Sequence, residues 1–155
     1  MRLAASVAQG LAFGAGVGVV PVSNLAAVAQ RVIQLEPAAR HVLVANDARM
    51  REVYWAPFDT STGVAAAGPE RVSAATDVTL PLNSGRWVAA GRGLAAWPEL
   101  AERCRAGGAS LYADLLPRAS EILTLARREV AAGQILDPAG ALPVYVRDNV
   151  AAPSV

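Results

Sequence analysis

His41-Val42-Leu43-Val44-Ala45-Asn46-Asp47-Ala48-Arg49-Met50-Arg51-Glu52-Val53-Tyr54-Trp55-Ala56 is the stretch that decides the fold. An apolar run rich in β-branched residues ends in Asn-Asp, and a second such run follows from Val53 to Phe58. Runs of this kind bounded by turn residues read as two strands joined by a tight turn. The expected strands are 41–46 and 52–58. Their turn carries a carboxylate, a guanidinium and a second carboxylate in Asp47, Arg49 and Glu52, with Tyr54 just beyond.

Working outward, residues 2–14 read as a helix, 17–22 as a short buried strand and 24–34 as a second helix. Ser23 or Asn24 would cap that second helix, and Leu25, Val28, Val32 and Leu35 form its apolar face. After the hairpin, residues 59–69 read as a polar turn and 70–85 as weakly patterned edge structure. Trp87–Ala90 is an expected strand, 95–105 a helix, and a last helix opens near Pro117 with the stripe Ala119, Ile122, Leu123, Ala126, Val130. Residues 134–155 are an expected extended tail. Strands alternating with helices argue an α/β fold.

A chain of 155 residues can build one core that buries roughly 70% of its unfolded surface. Charged residues make up 17% of it and hydrophobic ones 54%, against about 25% charged in an average domain. That excess suits helices on a buried sheet, with apolar surface left for something else to cover. The net charge is +1 and every one of the 14 basic residues is Arg. No basic run exceeds Arg127-Arg128, so the clustered footprint of an autonomous RNA binder is missing. Cys104, the single cysteine, cannot form an intramolecular disulfide and fits a reducing compartment.

The first thirty residues imitate other things. From Arg2 to Arg31 no charge interrupts the chain, as in a signal peptide or a membrane span. Glycines at 10, 14, 16 and 18, with Gln9, Pro21, Ser23 and Asn24, break the stretch into helix-, strand- and helix-like pieces. A buried βα region is therefore the reading adopted, with no membrane association. Residues 3–14 have no charged face, so such a helix needs burial on more than one side, and one side is expected to be left bare for a partner.

Catalytic chemistry finds few residues. A zinc site needs several His, Cys or carboxylate ligands converging, and the chain has one His and one Cys. His41 opens an apolar strand and reads as structural. There is no Gly-x-Ser-x-Gly elbow and no Lys for a phosphate loop. Gly14-Ala15-Gly16-Val17-Gly18 follows a helix rather than a strand, the wrong context for a dinucleotide fingerprint. Asp47, Arg49 and Glu52 remain open between two readings. They could meet a partner or a nucleotide, or Asp47 could only close the turn while Arg49 and Glu52 form an exposed ion pair worth about 0–1 kcal/mol.

The hairpin resembles the "Asp-Ala-Arg, then Glu-Val-Tyr" hairpin of the TsaB (YeaZ) family. The likeness continues elsewhere. Ala8-Gln9-Gly10-Leu11-Ala12 followed by Val19-Val20-Pro21-Val22-Ser23-Asn24-Leu25, Gly91-Arg92-Gly93 before Trp97-Pro98-Glu99-Leu100, Leu115-Leu116-Pro117, and Pro143-Val144-Tyr145-Val146-Arg147 are all similar to family segments in the same order. Family members often carry Gly at the position of Arg51.

The resemblance implies an actin-like ATPase (ribonuclease-H-like) fold of two related lobes, the N-terminal one incomplete. Residues 1–36 would be the remainder of the first lobe, 40–133 the second, and 134–155 a tail. Family members begin with further segments, so about a third of a usual chain is expected to be absent before Met1. The resemblance also implies a non-catalytic partner of a TsaD-like subunit, working with a TsaE-like ATPase. That assembly makes N6-threonylcarbamoyladenosine at position 37 of ANN-decoding tRNAs in the cytoplasm. No cofactor would bind this chain alone, while ATP and a divalent metal would serve the complex. TsaD carries a pair of histidines at helical spacing, and that pair is missing here. The expected interface is Leu3, Ala4, Val7, Ala8, Leu11 and Ala12, which would also support a homodimer, with tRNA met only through the complex. Tyr145 and Arg147 are read as a clamp tying down the tail, with a partner contact as the other reading. The competing functions are an actin-like-fold enzyme (an ATP-dependent phosphotransferase or a glycoprotease-like peptidase) and a secreted domain.

Overall fold

The computed structural model describes residues 2–81 and 86–147. The end of the expected tail and the last residues of the 70–85 stretch fall outside that range. The elements are α1 (Arg2–Ala15), α2 (Asn24–Leu35), β1 (His41–Arg49), β2 (Glu52–Asp59), β3 (Ala65–Ala66), β4 (Arg71–Ser73), β5 (Trp87–Ala90), α3 (Gly93–Ala96), α4 (Pro98–Ala106), β6 (Ala109–Tyr112) and α5 (Ala119–Ala131). One sheet runs β3-β2-β1-β5-β6, and β4 also pairs with β2. β1 is antiparallel to β2 and parallel to β5, which is parallel to β6.

Side chains alternate across a strand, and β1 uses both faces. Val42 and Val44 join Ala56, Phe58, Val88 and Ala90 under Leu25, Val28, Ala29 and Val32 of α2. Leu43 and Ala45 join Val53, Trp55, Trp87 and Ala89 under Leu94, Leu100 and Cys104 of α3 and α4. α2 starts where Ser23 Oγ accepts from the amides of Leu25 and Ala26, at 3.0 and 3.2 Å. This helix, grouped by sequence with residues 1–36, packs on the sheet formed by β1, β2 and β5.

Several expectations need correction. The stretch 17–22 forms no strand, because its apolar residues find no sheet to join. Only Val19 makes a bridge, exchanging two 2.9 Å backbone bonds with Leu136. β3 and β6 were not foreseen, and β4 falls where Val72 reads as possible edge structure. β3 and β4 are two and three residues long, too short to show alternation. In β6 the segment Ala109-Ser110-Leu111-Tyr112 owes its form to pairing with β5. The helix expected over 95–105 is two helices divided at Trp97. The last helix begins at Ala119, beyond Pro117.

α1 is mostly uncovered. Leu3, Val7, Leu11 and Phe13 are 77, 53, 70 and 81% exposed, and Ala12 is buried. Its main support is the tail, where Gln9 Nε2 donates to Pro138 O at 2.8 Å.

The loop after β5 passes very close to β1. A Cβ on Gly91 would lie 2.4 Å from Ala45 O, and one on Gly93 would lie 2.8 Å from the same atom. Gly91 also has φ +106, where L side chains are strained. Gly91→Ala should therefore cost at least about 2 kcal/mol, while Gly10→Ala, in a helix with open space around it, should gain up to about 1 kcal/mol. Urea melts of the two variants check the contrast.

Candidate functional site

The end of the sheet where β1 stops holds the residues singled out in the hairpin. β1 and β2 pair in register from His41–Asp59 to Asp47–Val53, and a bulge precedes the Arg49–Glu52 pair. The turn itself has an unusual backbone. Arg49, Met50 and Arg51 lie at φ +59, +51 and +64. Three successive left-handed non-glycine residues are rare, each costing roughly 1–2 kcal/mol. Here lies the physical reason a glycine at position 51 would be easier.

Surrounding contacts hold the turn. Asp47 Oδ1 accepts from the amide of Arg49 at 3.2 Å, an Asx turn. The tail's Arg147 donates from Nη2 to Glu52 Oε2 at 2.5 Å and to Ala48 O at 3.2 Å. Its Nη1 reaches Met50 Sδ at 3.4 Å. The guanidinium lies 5.6 Å from the centroid of the Tyr54 ring. The side chain of Arg147 is 13% exposed and that of Glu52 is 35% exposed. Tyr145, two residues earlier, is half exposed. Glu52 thus faces Arg147 of the tail rather than Arg49, which is exposed along with Met50 and Arg51.

Beside the turn is an open cavity of about 550 Å³ lined by Asn46, Asp47, Arg92, Ala95, Ala96 and Leu116. Asn46 Oδ1 accepts from the amide of Arg92 at 3.3 Å, and Arg31 Nη1 donates to Leu116 O at 3.2 Å. Sequence reading did not single out Arg92 or Arg31 as site residues, because their convergence on this wall depends on the parallel pairing of β1 with β5. A second groove, about 410 Å³, lies at the other end of β1 between His41, Trp55, Pro57, Arg71 and Pro81. There Arg71 lies over the Trp55 ring, 5.7 Å from its centroid. His41 lines this groove away from the hairpin turn.

Cys104 is buried between α4 and the sheet, and burial pushes its thiol up to about 11, against a smaller opposing pull from Arg103. That is the wrong direction for a nucleophile. Asp59 is held below the usual carboxylate range, mainly by a hydrogen bond from the Ser61 hydroxyl and then by the Ser61 amide. Among the described residues no three His, Cys, Asp or Glu side chains converge as metal ligands. No helix among them is long and apolar enough to cross a membrane. Glu121 was also missed. It is buried in α5, its Oε1 takes a hydrogen bond from Ser120 at 3.0 Å, and its Oε2 has no hydrogen-bond partner.

A family model described as "TsaD: tRNA N6-adenosine threonylcarbamoyltransferase" matches residues 1–153. The chain belongs to that family, as a member of the TsaB (YeaZ) type. It is similar to the tRNA threonylcarbamoyladenosine biosynthesis protein TsaB of Escherichia coli (strain K12), 36% identical over 157 residues that cover 97% of this chain and 66% of that protein. The TsaB of Haemophilus influenzae is 32% identical over 160 residues, covering 97% of this chain and 65% of its own. Among solved structures, YeaZ from Pseudomonas aeruginosa matches with a TM-score of 0.80 at 38% identity, over 93% of this chain and 67% of that one. The chain thus spans about two thirds of the length of these relatives. The sheet and its helices are the actin-like, ribonuclease-H-like fold of this family.

Three outcomes test the site. Asp47→Ala should cost about 0.5–2 kcal/mol by removing the Asx bond, with Arg49→Ala costing less, as read from denaturant melts. Arg51→Gly should stabilise by about 0.5–1 kcal/mol, the relief of left-handed strain less the extra freedom glycine gives the unfolded chain. Cys104 should react with a thiol reagent only after unfolding. Because its folded pKa is raised, the unfolded thiol loses its proton first. Stability should therefore fall as pH rises from about 9 towards 11, and Cys104→Ala should remove that contribution.

Proposed function

We propose that the chain acts in threonylcarbamoyl transfer to adenosine 37 of ANN-decoding tRNAs, as the non-catalytic partner of a TsaD-like subunit. A TsaE-like ATPase completes the assembly. ATP and a divalent metal belong to those other subunits, and tRNA reaches this chain through the complex in the cytoplasm. The observation that carries the reading is the surface of α1. Leu3, Val7, Leu11 and Phe13 project into solvent from a helix without a charged residue between Leu3 and Ala15. Exposed apolar rows of this kind mark protein interfaces. Ala4 and Ala8 are exposed between them and would let a partner helix approach closely. Ala12, of the expected interface, faces inward. The same surface would serve a second copy of the chain when the partner is absent. The names of the relatives, tRNA threonylcarbamoyladenosine biosynthesis proteins, supply the pathway.

The role in catalysis is that of a positioning surface. Its chemistry is apolar burial, about 25 cal/mol for each Å² removed from water, with no proton or group transferred by this chain. The enzymatic alternative, phosphotransfer or peptide hydrolysis by this chain, makes the opposite prediction.

Two measurements decide. Ala8→Arg and Leu11→Asp change exposed positions, so thermal unfolding should stay near that of the parent. Co-purification with a TsaD-family subunit should drop at least about tenfold. Unchanged partner binding would remove the interface assignment. The chain alone should hydrolyse neither ATP nor peptides above background, and a turnover that survives repurification and is lost on mutating Asp47 or His41 would favour the enzymatic reading.

A further inference from the structure

The charges at the hairpin end are unevenly used. The described ion pairs are Arg105–Glu102 and Arg147–Glu52, so Glu52 is already matched by the tail. The Asp47 carboxylate accepts from a backbone amide. Among the described residues no carboxylate pairs with Arg49, Arg51 or Arg92, and all three are exposed. Arg49 and Arg51 sit on the left-handed turn, and Arg92 sits at the level of Asn46, whose Oδ1 takes its amide hydrogen. From that level to Arg49 is three residues, about 10 Å at strand rise. The chain as a whole is nearly neutral, at +1. This end holds the guanidiniums of Arg49, Arg51, Arg92 and Arg147, with the carboxylates of Asp47 and Glu52 and, beyond the end of β6 next to Arg92 in register, Asp114.

The turn's backbone adds a second argument. Strained left-handed residues persist where their surroundings over-determine them, and they concentrate at functional positions. Both side chains, Arg49 and Arg51, are exposed. Asp47 below and Arg147 beside the turn hold it in place. Two guanidiniums on a turn fixed in this way lose less freedom on binding than two on a loose loop.

We propose that Arg49, Arg51 and Arg92 form a contact for the RNA phosphate backbone, engaged when the assembled complex receives its tRNA. Guanidinium groups suit phosphate oxygens in geometry and charge. The patch is too small to hold RNA by itself. Three phosphate contacts supply a salt-sensitive increment to a site whose base recognition lies elsewhere. An acidic partner protein is the other occupant of such a patch. RNA is favoured by charge complementarity, three exposed guanidiniums without a carboxylate partner among the described residues suiting a polyanion, and because the relatives are named as tRNA threonylcarbamoyladenosine biosynthesis proteins.

The inference rests on the proposed function, and the test separates the two. The complex of this chain with a TsaD-family subunit is titrated with a labelled transcript of an ANN-decoding tRNA, by anisotropy across a salt series. Each of Arg49→Gln, Arg51→Gln and Arg92→Gln should weaken binding about 3–5-fold, and the triple variant should reduce the slope of log K against log salt by about 2. Arg105→Gln, in the exposed pair on α4, should leave both unchanged. Subunit association and melting temperature, measured on the same samples, should match the parent for all variants. An intact complex of the triple variant with parental affinity and slope would overturn the phosphate contact and leave the proposed function standing. A triple variant that fails to associate would make the patch a protein interface and overturn the contact. A parent complex that binds no tRNA would sink the proposed function and this inference with it.

Discussion

The rest of the structure depends on β1 being covered on both faces. Val42, Leu43, Val44 and Ala45 are almost wholly inaccessible, which requires a layer on each side. α2 supplies one layer, and α3 with α4 supplies the other. Burial of each such Val or Leu contributes about 1.5–3 kcal/mol, so this strand fixes where both helical layers lie. Its neighbour β5 is buried at every position for the same reason. The parallel step from β1 to β5 then brings the Gly91-Arg92-Gly93 loop onto the carbonyl end of β1, at a separation only glycine allows. Arg103 holds the outer edge of that layer, bonding the carbonyls of Ala75, Thr76 and Val78 at 2.9, 3.0 and 2.9 Å.

Where double coverage ends, the chain satisfies its polar groups locally. At the hairpin end this takes the form of an Asx bond, a left-handed turn and a guanidinium brought from the tail. That tail is more than a loose extension. It pairs with Val19 through Leu136, receives Gln9 at Pro138, and reaches the hairpin with Arg147. It thereby ties the first helix to the far end of the sheet. Gly18 permits the crossing, since a Cβ there would lie 2.2 Å from a side-chain carbon of Ile135.

Two surfaces follow from this arrangement, with different chemistry. α1 offers apolar side chains on a helix that the fold leaves bare, suited to another helix. The hairpin end offers guanidiniums on a rigid turn, suited to phosphate. A chain poor in the residues that perform group transfer, with one His and one Cys, can still act by holding two other molecules. In the function proposed for this chain, an apolar docking face and a charged contact would keep affinity for a protein partner apart from salt-dependent affinity for RNA.

How much was legible in advance varied by element, for physical reasons. The hairpin, the strand Trp87–Ala90, α1 and α2 follow from local pattern, because periodicity of two or 3.6 is written in consecutive residues. The family was legible from the order of short segments. β3 and β6 were not, and β4 showed only as possible edge structure at Val72, since strands this short take their form from a neighbour's hydrogen bonds. Residues 17–22 looked like a strand because four of the six are Val, yet pairing needs an edge and, among the described residues, only Leu136 supplies one. Asp47 and Arg49 were visible as candidates from the turn chemistry alone. The match of Glu52 with Arg147 across 95 residues, the left-handed backbone between them, and the approach of Arg92 were decided by tertiary structure. The sequence by itself determined which residues prefer burial and where the chain must turn. Only the folded sheet decided which charges were left unpaired, because pairing depends on distance in space between residues far apart along the chain.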